Sequence, residues 1–155
     1  MRFHLVAVGT RMPDWVTAGY SEYARRLHGG ARLELHEVAA ASRKGRDDPD
    51  KARADEGRRL RAALPPRARR IALDVGGKRM STPRLAERME EWNRTGAEVA
   101  FIVGGPDGLD PALRDEADEA WSLSELTLPH ALVRVVLAEQ LYRAVSILHN
   151  HPYHR

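Results

Sequence analysis

The sequence of 155 residues contains no cysteine, and this absence excludes several classes of protein. Disulfide-stabilised folds, cysteine-ligated zinc sites and thiol catalysis all depend on that residue. The chain also lacks an apolar run near the roughly 18 residues that a membrane-spanning helix needs. Its first residues do not have the pattern of a signal peptide. We therefore expect a soluble, cytoplasmic protein with no membrane association.

Aromatic residues are scarce at 6%, but hydrophobic residues make up 43% of the chain and charged residues 30%. This balance argues against a disordered protein. A chain of this length can bury about 70% of the surface that it exposes when unfolded. We therefore expect one domain over residues 1–155, stable without a disulfide or a structural metal.

Basic residues are concentrated in one segment of the chain. The formal net charge is only +3, but residues 42–70 hold 11 basic and 5 acidic residues, a local charge of +6. A basic stripe of this kind favours binding to phosphate groups. A solvated loop and helix surface is an equally good explanation.

Short apolar runs alternate with helical patterns along the chain. Strands are predicted over residues 3–9, 32–38, 70–75, 99–103 and 123–128. Helices are predicted from Asp14, from Asp48-Pro49 to about Leu64, from Thr82 to Gly96, after Asp110, and from about Ala131 to His149. This alternation is typical of an α/β protein, a mainly parallel sheet with helices on both faces.

A glycine-rich loop follows the predicted strand 99–103, and ligands of open α/β sheets bind at the carboxyl ends of strands. Residues 104–108 are Gly-Gly-Pro-Asp-Gly. Adjacent glycines let a ligand approach the backbone, and proline stiffens the loop. The spacing fits neither the dinucleotide fingerprint nor the phosphate-binding loop of nucleotide hydrolases. An ordinary tight turn is the alternative interpretation.

The C-terminal segment concentrates side chains that accept protons, stack on bases or bind phosphate. They are His130, His149, His151, His154, Arg134, Arg143, Tyr142 and Tyr153. A frayed polar terminus is one alternative, and a metal site on the last three histidines is another. Arg143 also lies four residues after Glu139, so the two side chains could simply form an ion pair across one helical turn.

Six motifs together resemble a known family over essentially the whole chain. They are residues 6–10 (VAVGT), 12–15 (MPDW), 104–108 (GGPDG), 122–130 (SLSELTLPH), 134–144 (RVVLAEQLYRA) and 152–155 (PYHR). The chain resembles the RlmH family, the large-subunit pseudouridine methyltransferases of the SPOUT class. The resemblance implies methylation of N3 of a pseudouridine in large-subunit (23S) ribosomal RNA, on the assembled ribosome, with S-adenosyl-L-methionine as methyl donor. It also implies a homodimer and a C-terminal trefoil knot, with the cofactor-binding knot region at about residues 70–155.

Matching positions imply which residues form the site. The implied cofactor-binding residues are Leu73, Gly104, Gly105, Leu123, Ser124, Glu125, Leu126, Thr127 and Leu128. The implied catalytic residues are Arg143, Tyr153 and His154, with His130 nearby. Since N3 of a uracil-type ring must lose a proton, the site needs a base or a group that stabilises the anion. We hypothesise that Tyr153 and His154 reach the cofactor of the other subunit.

No metal is expected in this site, because the sulfonium of the cofactor already activates the methyl group. Two other functions compete with methyl transfer. In one, the basic segment and the aromatic tail belong to a non-catalytic RNA-binding module and the glycine loop is only a turn. In the other, the histidines serve a small-molecule hydrolase that works without a methyl donor.

Overall fold

Five parallel strands form the centre of the molecule. The computed structural model describes residues 1–42 and 48–155. Its strands are β1 (Arg2–Val8), β2 (Arg32–Val38), β3 (Arg69–Arg79), β4 (Val99–Val103) and β5 (Glu119–Ser122). They form one sheet in the order β2-β1-β4-β3-β5, and each of these pairings is parallel. The predicted α/β class with a parallel sheet is confirmed.

Helices cover both faces of this sheet, as the near-continuous apolar runs of β1 and β4 predict. They are α1 (Asp14–Ala24), α2 (Pro49–Ala63), α3 (Thr82–Thr95), α4 (Pro111–Glu116) and α5 (His130–Leu148), followed by a 3-10 turn (Pro152–His154). Helices α1, α3 and α5 pack on one face and helices α2 and α4 on the other. Among the described helices, none has the length and hydropathy that crossing a membrane requires.

The helix ends follow the capping residues in the sequence. Asp48, Ser81 and Asp110 each accept a hydrogen bond from a backbone N–H of the helix that they precede. Such caps satisfy donors that have no partner within the helix. Gly96 ends α3 in the left-handed conformation, at a φ of 71°. Helix α1 ends at Ala24, about one turn before Gly29-Gly30, the pair of glycines at which the sequence predicts its end.

Two strand predictions need correction at the carboxyl edge of the sheet. Strand β3 continues to Arg79, and its pairing with β5 shifts register between Leu73 and Lys78. The strand predicted over residues 123–128 is wrong, because β5 ends at Ser122 and a loop follows. The Ser122 hydroxyl donates to the carbonyl of Ser124, and the Ser124 hydroxyl accepts from the N–H of Leu126. These local bonds compete with the sheet and hold the chain in turns. The implied trefoil knot stays a prediction.

Candidate active site

A cavity of about 600 Å³ opens at the carboxyl end of β4 and beside residues 73–75 of β3, just after the pairing of β3 with β4 ends. Three segments form its walls: residues 73–75 of β3, residues 103–109 after β4, and residues 123–130 with the first turn of α5. The volume is within the range of small-molecule sites. The cavity therefore lies where a parallel α/β sheet is expected to bind a ligand.

The glycine loop folds tightly because Gly104 and Gly108, which approach each other most closely, have no side chains. The N–H of Gly108 donates to the carbonyl of Gly105 at 3.0 Å, and Gly108 has a φ of +85°. A Cβ at Gly104 would lie 2.5 Å from the carbonyl carbon of Gly108. The loop is therefore a tight turn that also lines the cavity, and its contact with a ligand stays a prediction.

Helix α2 supports this loop from outside the cavity. Arg53 donates to the carbonyl oxygen of Asp107 at 3.2 Å. The carboxylate of Glu56, which is almost fully buried, accepts from the N–H of Ala41 and lies 3.0 Å from the position of a Cβ at Gly105. A helix remote in sequence therefore fixes the wall of the cavity, and no sequence motif indicates this contact.

Some arginines of the basic segment 42–70 form ion pairs with acidic residues elsewhere in the same chain. Arg61 bonds to Glu116 at 2.8 Å, and Arg69 bonds to Glu119 at 2.9 Å. The hydrogen bond from Arg61 lowers the pKa of Glu116. These pairs favour a folded, charged surface for this part of the segment. Three of its basic residues, Arg43, Lys44 and Arg46, lie outside the described residues, and the RNA-binding role of the segment stays a prediction.

An ion pair between Asp74 and Arg114 stabilises the part of the cavity wall that residues 73–75 of β3 form. The Asp74 carboxylate accepts from the N–H of Gly76 and pairs with Arg114 at 3.1 Å. Arg114 also donates to the carbonyl oxygen of Gly76 at 3.2 Å. Asp74 was not among the predicted cofactor-binding residues, although it follows Leu73 directly at the end of an apolar strand segment.

Most of the residues predicted to bind the cofactor line this one cavity. They are Leu73, Gly104, Gly105, Leu123, Ser124, Leu126, Thr127 and Leu128. His130, predicted to lie near the reaction, lines it as well. Glu125 is not in the wall, because its exposed carboxylate pairs with Arg79 at 2.7 Å. The leucines of residues 123–128 therefore stand among polar residues and line a cavity, a pattern that a strand with one buried face also shows.

Arg134 anchors the start of α5 beneath the cavity. Its side chain is 1% exposed and donates to the carbonyl oxygens of Val8 and Gly9, at 3.2 and 2.7 Å, while it pairs with Glu37. The prediction that Arg134 belongs to a phosphate-binding surface is therefore wrong. Its role is to connect α5, which begins at His130, to the ends of β1 and β2.

The tail folds back onto α5 and forms a cluster, which we call the Tyr153 cluster: Glu139, Tyr142, Arg143 and Tyr153. Arg143 pairs with Glu139 at 2.6 Å, which confirms the ion pair that the helical spacing indicated. The Tyr153 hydroxyl donates to the same carboxylate at 3.1 Å. The guanidinium of Arg143 lies 4.8 Å from the centre of the Tyr153 ring. The tail is therefore held by specific contacts, unlike a frayed terminus.

Two proton positions in the tail follow from these contacts. Burial and the hydrogen bond to Glu139 raise the pKa of Tyr153 to about 12, so Tyr153 is a hydrogen-bond donor at neutral pH. His154 Nδ1 lies 2.6 Å from the carbonyl oxygen of His151. Because a carbonyl only accepts, Nδ1 carries the proton and Nε2 is the nitrogen that can accept one.

The chain does not bring the tail to its own cavity. His130 is in the cavity wall, but the Tyr153 hydroxyl is bonded to Glu139, about 14 Å further along the axis of α5. Of the four predicted catalytic residues, His130 alone lines the cavity of the same chain.

Comparison with known proteins identifies the family of this chain. Residues 1–154 match the family model described as "Predicted SPOUT methyltransferase". The chain belongs to the SPOUT methyltransferases. It is 54% identical over 155 residues to the Ribosomal RNA large subunit methyltransferase H of Methylococcus capsulatus, with all of both chains covered. It is 51% identical to the protein of that name from Marinomonas sp., again over both full chains, and 50% identical to that from Burkholderia thailandensis, over 100% of this chain and 99% of the relative.

Proposed function

We propose that this protein transfers a methyl group from S-adenosyl-L-methionine to N3 of a pseudouridine in large-subunit (23S) ribosomal RNA. We further propose that it acts in the cytoplasm, as a homodimer, on the assembled ribosome. Membership of the SPOUT methyltransferases and the names of the full-length relatives support methyl transfer to this class of RNA. The observation that carries the proposal is the cavity that residues from two separate family motifs, 104–108 and 122–130, form together with residues 73–75.

The residues of the cavity suit the proposed cofactor. Its walls combine leucine side chains with the backbone of the glycine loop and of residues 123–128. Apolar surface suits the adenine and ribose, and backbone N–H and C=O groups suit the polar edge of an adenine. Leu73, Leu123 and Leu128 would pack on the cofactor, and Gly104 and Gly105 would let it approach the backbone. When bound, the cofactor supplies an electrophilic methyl group on a sulfonium.

Methyl transfer to N3 forms an N–C bond and breaks the C–S bond, and the N3 proton must go to a base. Nε2 of His154 is the proton acceptor that we assign, since Nδ1 is already protonated. Tyr153 positions the target base, and Arg143 offsets the negative charge that develops on the ring. His130 contacts the reacting groups from the cavity wall.

The tail that completes this site comes from the second subunit. The Tyr153 cluster lies too far along α5 to serve the cavity of its own chain. A symmetric dimer of two identical patches places both tails in equivalent positions. In this arrangement each active site takes its cavity from one chain and its proton acceptor from the other.

Two measurements test the function. Titration calorimetry with S-adenosyl-L-methionine should show saturable binding, and mass spectrometry of large-subunit RNA should find one methylated pseudouridine that disappears from cells lacking this protein. The purified protein should restore that methyl group on ribosomes from those cells. RNA binding without cofactor binding would indicate a non-catalytic RNA-binding module instead. Hydrolysis of a small molecule without methyl donor would favour the hydrolase.

Replacing His154 with alanine should lower the methylation rate by about 100-fold, the usual contribution of a positioned base. Binding of S-adenosyl-L-methionine should not change, because all the residues that line the cavity are retained in this variant. His149→Ala is the matched control, since His149 Nδ1 also bonds to a carbonyl oxygen of the preceding turn, that of Val145. Single-turnover kinetics and calorimetry measure the two quantities. An unchanged rate for His154→Ala eliminates it as the base.

A further inference from the structure

A histidine-rich cluster lies on the first two strands, at the amino end of the sheet. His4 is on β1, and Glu34 and His36 are on β2, in a register that pairs His4 with Glu34. Residues two apart on a strand project from the same face. The three side chains therefore converge, with His4 almost fully buried and His36 about one-third exposed.

The three ligand atoms are spaced as a bound transition metal requires. His4 Nδ1 lies 2.9 Å from His36 Nε2, and Glu34 Oε2 lies 3.7 Å from the first and 4.0 Å from the second. A point equidistant from three atoms so arranged is about 2.1 Å from each, which equals ordinary Zn–N and Zn–O bond lengths. This point lies in the plane of the three atoms, so small shifts of the side chains, but no rearrangement of the strands, are needed before a water can complete a four-coordinate metal site.

A second carboxylate prepares His4 to be a ligand. His4 Nε2 lies 3.0 Å from Glu98 Oε2. A carboxylate only accepts, so Nε2 carries the proton and Nδ1 presents its lone pair to Glu34 and His36. This carboxylate–histidine arrangement is the usual outer support of a zinc ligand. Arg2 pairs with Glu98 and with Oε1 of Glu34, which leaves Oε2 of Glu34 directed at the histidines.

We propose that His4, Glu34 and His36 bind one Zn²⁺ per chain, with water as a fourth ligand. The ion replaces the proton that lies between His4 Nδ1 and His36 Nε2. It thereby links the edge strand β2 to β1. Two imidazoles and one carboxylate favour Zn²⁺ over Mg²⁺, which prefers oxygen ligands. Val8 and the cavity are about 13 Å further along β1, so the ion has no part in methyl transfer. The site is independent of the proposed function.

The test uses protein without an affinity tag, treated with chelator and dialysed. Titration with Zn²⁺ alone should give one equivalent per chain, and Mg²⁺ should not bind. At free Zn²⁺ about 100-fold above Kd, Tm should rise by about 5 °C or more, because the ion binds only the folded chain.

Three variants locate the ion. His36→Gln removes a ligand and Glu98→Gln removes the outer support, so each should weaken Zn²⁺ binding at least about tenfold. His151→Gln is the control, since it removes a histidine of the tail. The proposal is overturned if His36→Gln binds Zn²⁺ as tightly as the natural protein, or if His151→Gln abolishes binding. Because His36 is partly exposed, circular dichroism should show that its variant is folded.

Discussion

Alanine at position 104 is expected to abolish methylation, with a rate at least about 100-fold lower and S-adenosyl-L-methionine binding lost. The added Cβ would lie 2.5 Å from the carbonyl carbon and oxygen of Gly108 and 2.6 Å from the nitrogen of Leu109. These are backbone atoms of the same loop, so no side-chain rotation relieves the clash. The loop must open, and displacement of a binding wall by about 1 Å is enough for a loss of this size.

Gly105→Ala gives the graded comparison. Its Cβ would lie 3.0 Å from a carboxylate oxygen of Glu56 and from a methyl group of Val8, which are side-chain atoms and not backbone atoms of the loop. We expect a smaller loss of cofactor affinity than for Gly104→Ala. Thermal unfolding of both variants shows whether each remains folded. Wild-type affinity in a folded Gly104→Ala protein would contradict the assignment of this loop to the cofactor.

Together with His154→Ala, the Gly104→Ala variant tests whether each active site is formed by two chains. Gly104→Ala has a defective cavity and an intact tail, whereas His154→Ala has an intact cavity and a defective tail. If sites are shared, a mixed dimer contains one complete site, and random exchange of subunits should restore about a quarter of wild-type activity. If each chain used its own tail, the mixture would be as inactive as its components.

Arg134→Met is expected to lower the free energy of unfolding by about 3 kcal/mol, because it leaves buried acceptors without their donor. The guanidinium donates to the carbonyl oxygens of Val8 and Gly9 and pairs with Glu37, at 1% exposure. Methionine retains most of the apolar volume but none of the donors. Urea unfolding at fixed protein concentration measures the change.

Arg84→Met provides the control for this loss. Arg84 pairs with Glu87 one turn away, and both side chains are more than half exposed. Exposed pairs of this kind contribute little, so the expected change is within about 0.5 kcal/mol. Equal destabilisation by the two variants would show that the contacts of Arg134 do not have the strength that their burial implies.

Local patterns predicted the fold well wherever a residue's neighbours in sequence determine its environment. The apolar run of β4 and the caps at Asp48, Ser81 and Asp110 placed their elements within a residue or two. Residues 123–128 failed because leucines that line a ligand cavity have the same pattern as leucines in a buried strand.

The sequence predicted the lining of the cavity better than it predicted the residues that support that lining. Strand ends and the family motifs identified most of the cavity wall, and helical spacing indicated the pair of Arg143 with Glu139. The supports were missed, because Arg53, Glu56 and Arg134 act on loops and strands far from them in sequence. A sequence does not distinguish an exposed arginine in a polar tail from an arginine buried beneath a helix. Only the tertiary contacts distinguish them.

The three-walled cavity also sets the moment at which a new chain can first bind its cofactor. Residues 73–75 and 103–109 are synthesised well before the third wall, which includes the first turn of α5. Contacts between such distant segments form late, after the chain has lost most of its conformational freedom. On the proposed function, cofactor binding is therefore confined to chains whose last helix has docked, and by mass action the cofactor would stabilise these completed molecules over partly folded ones.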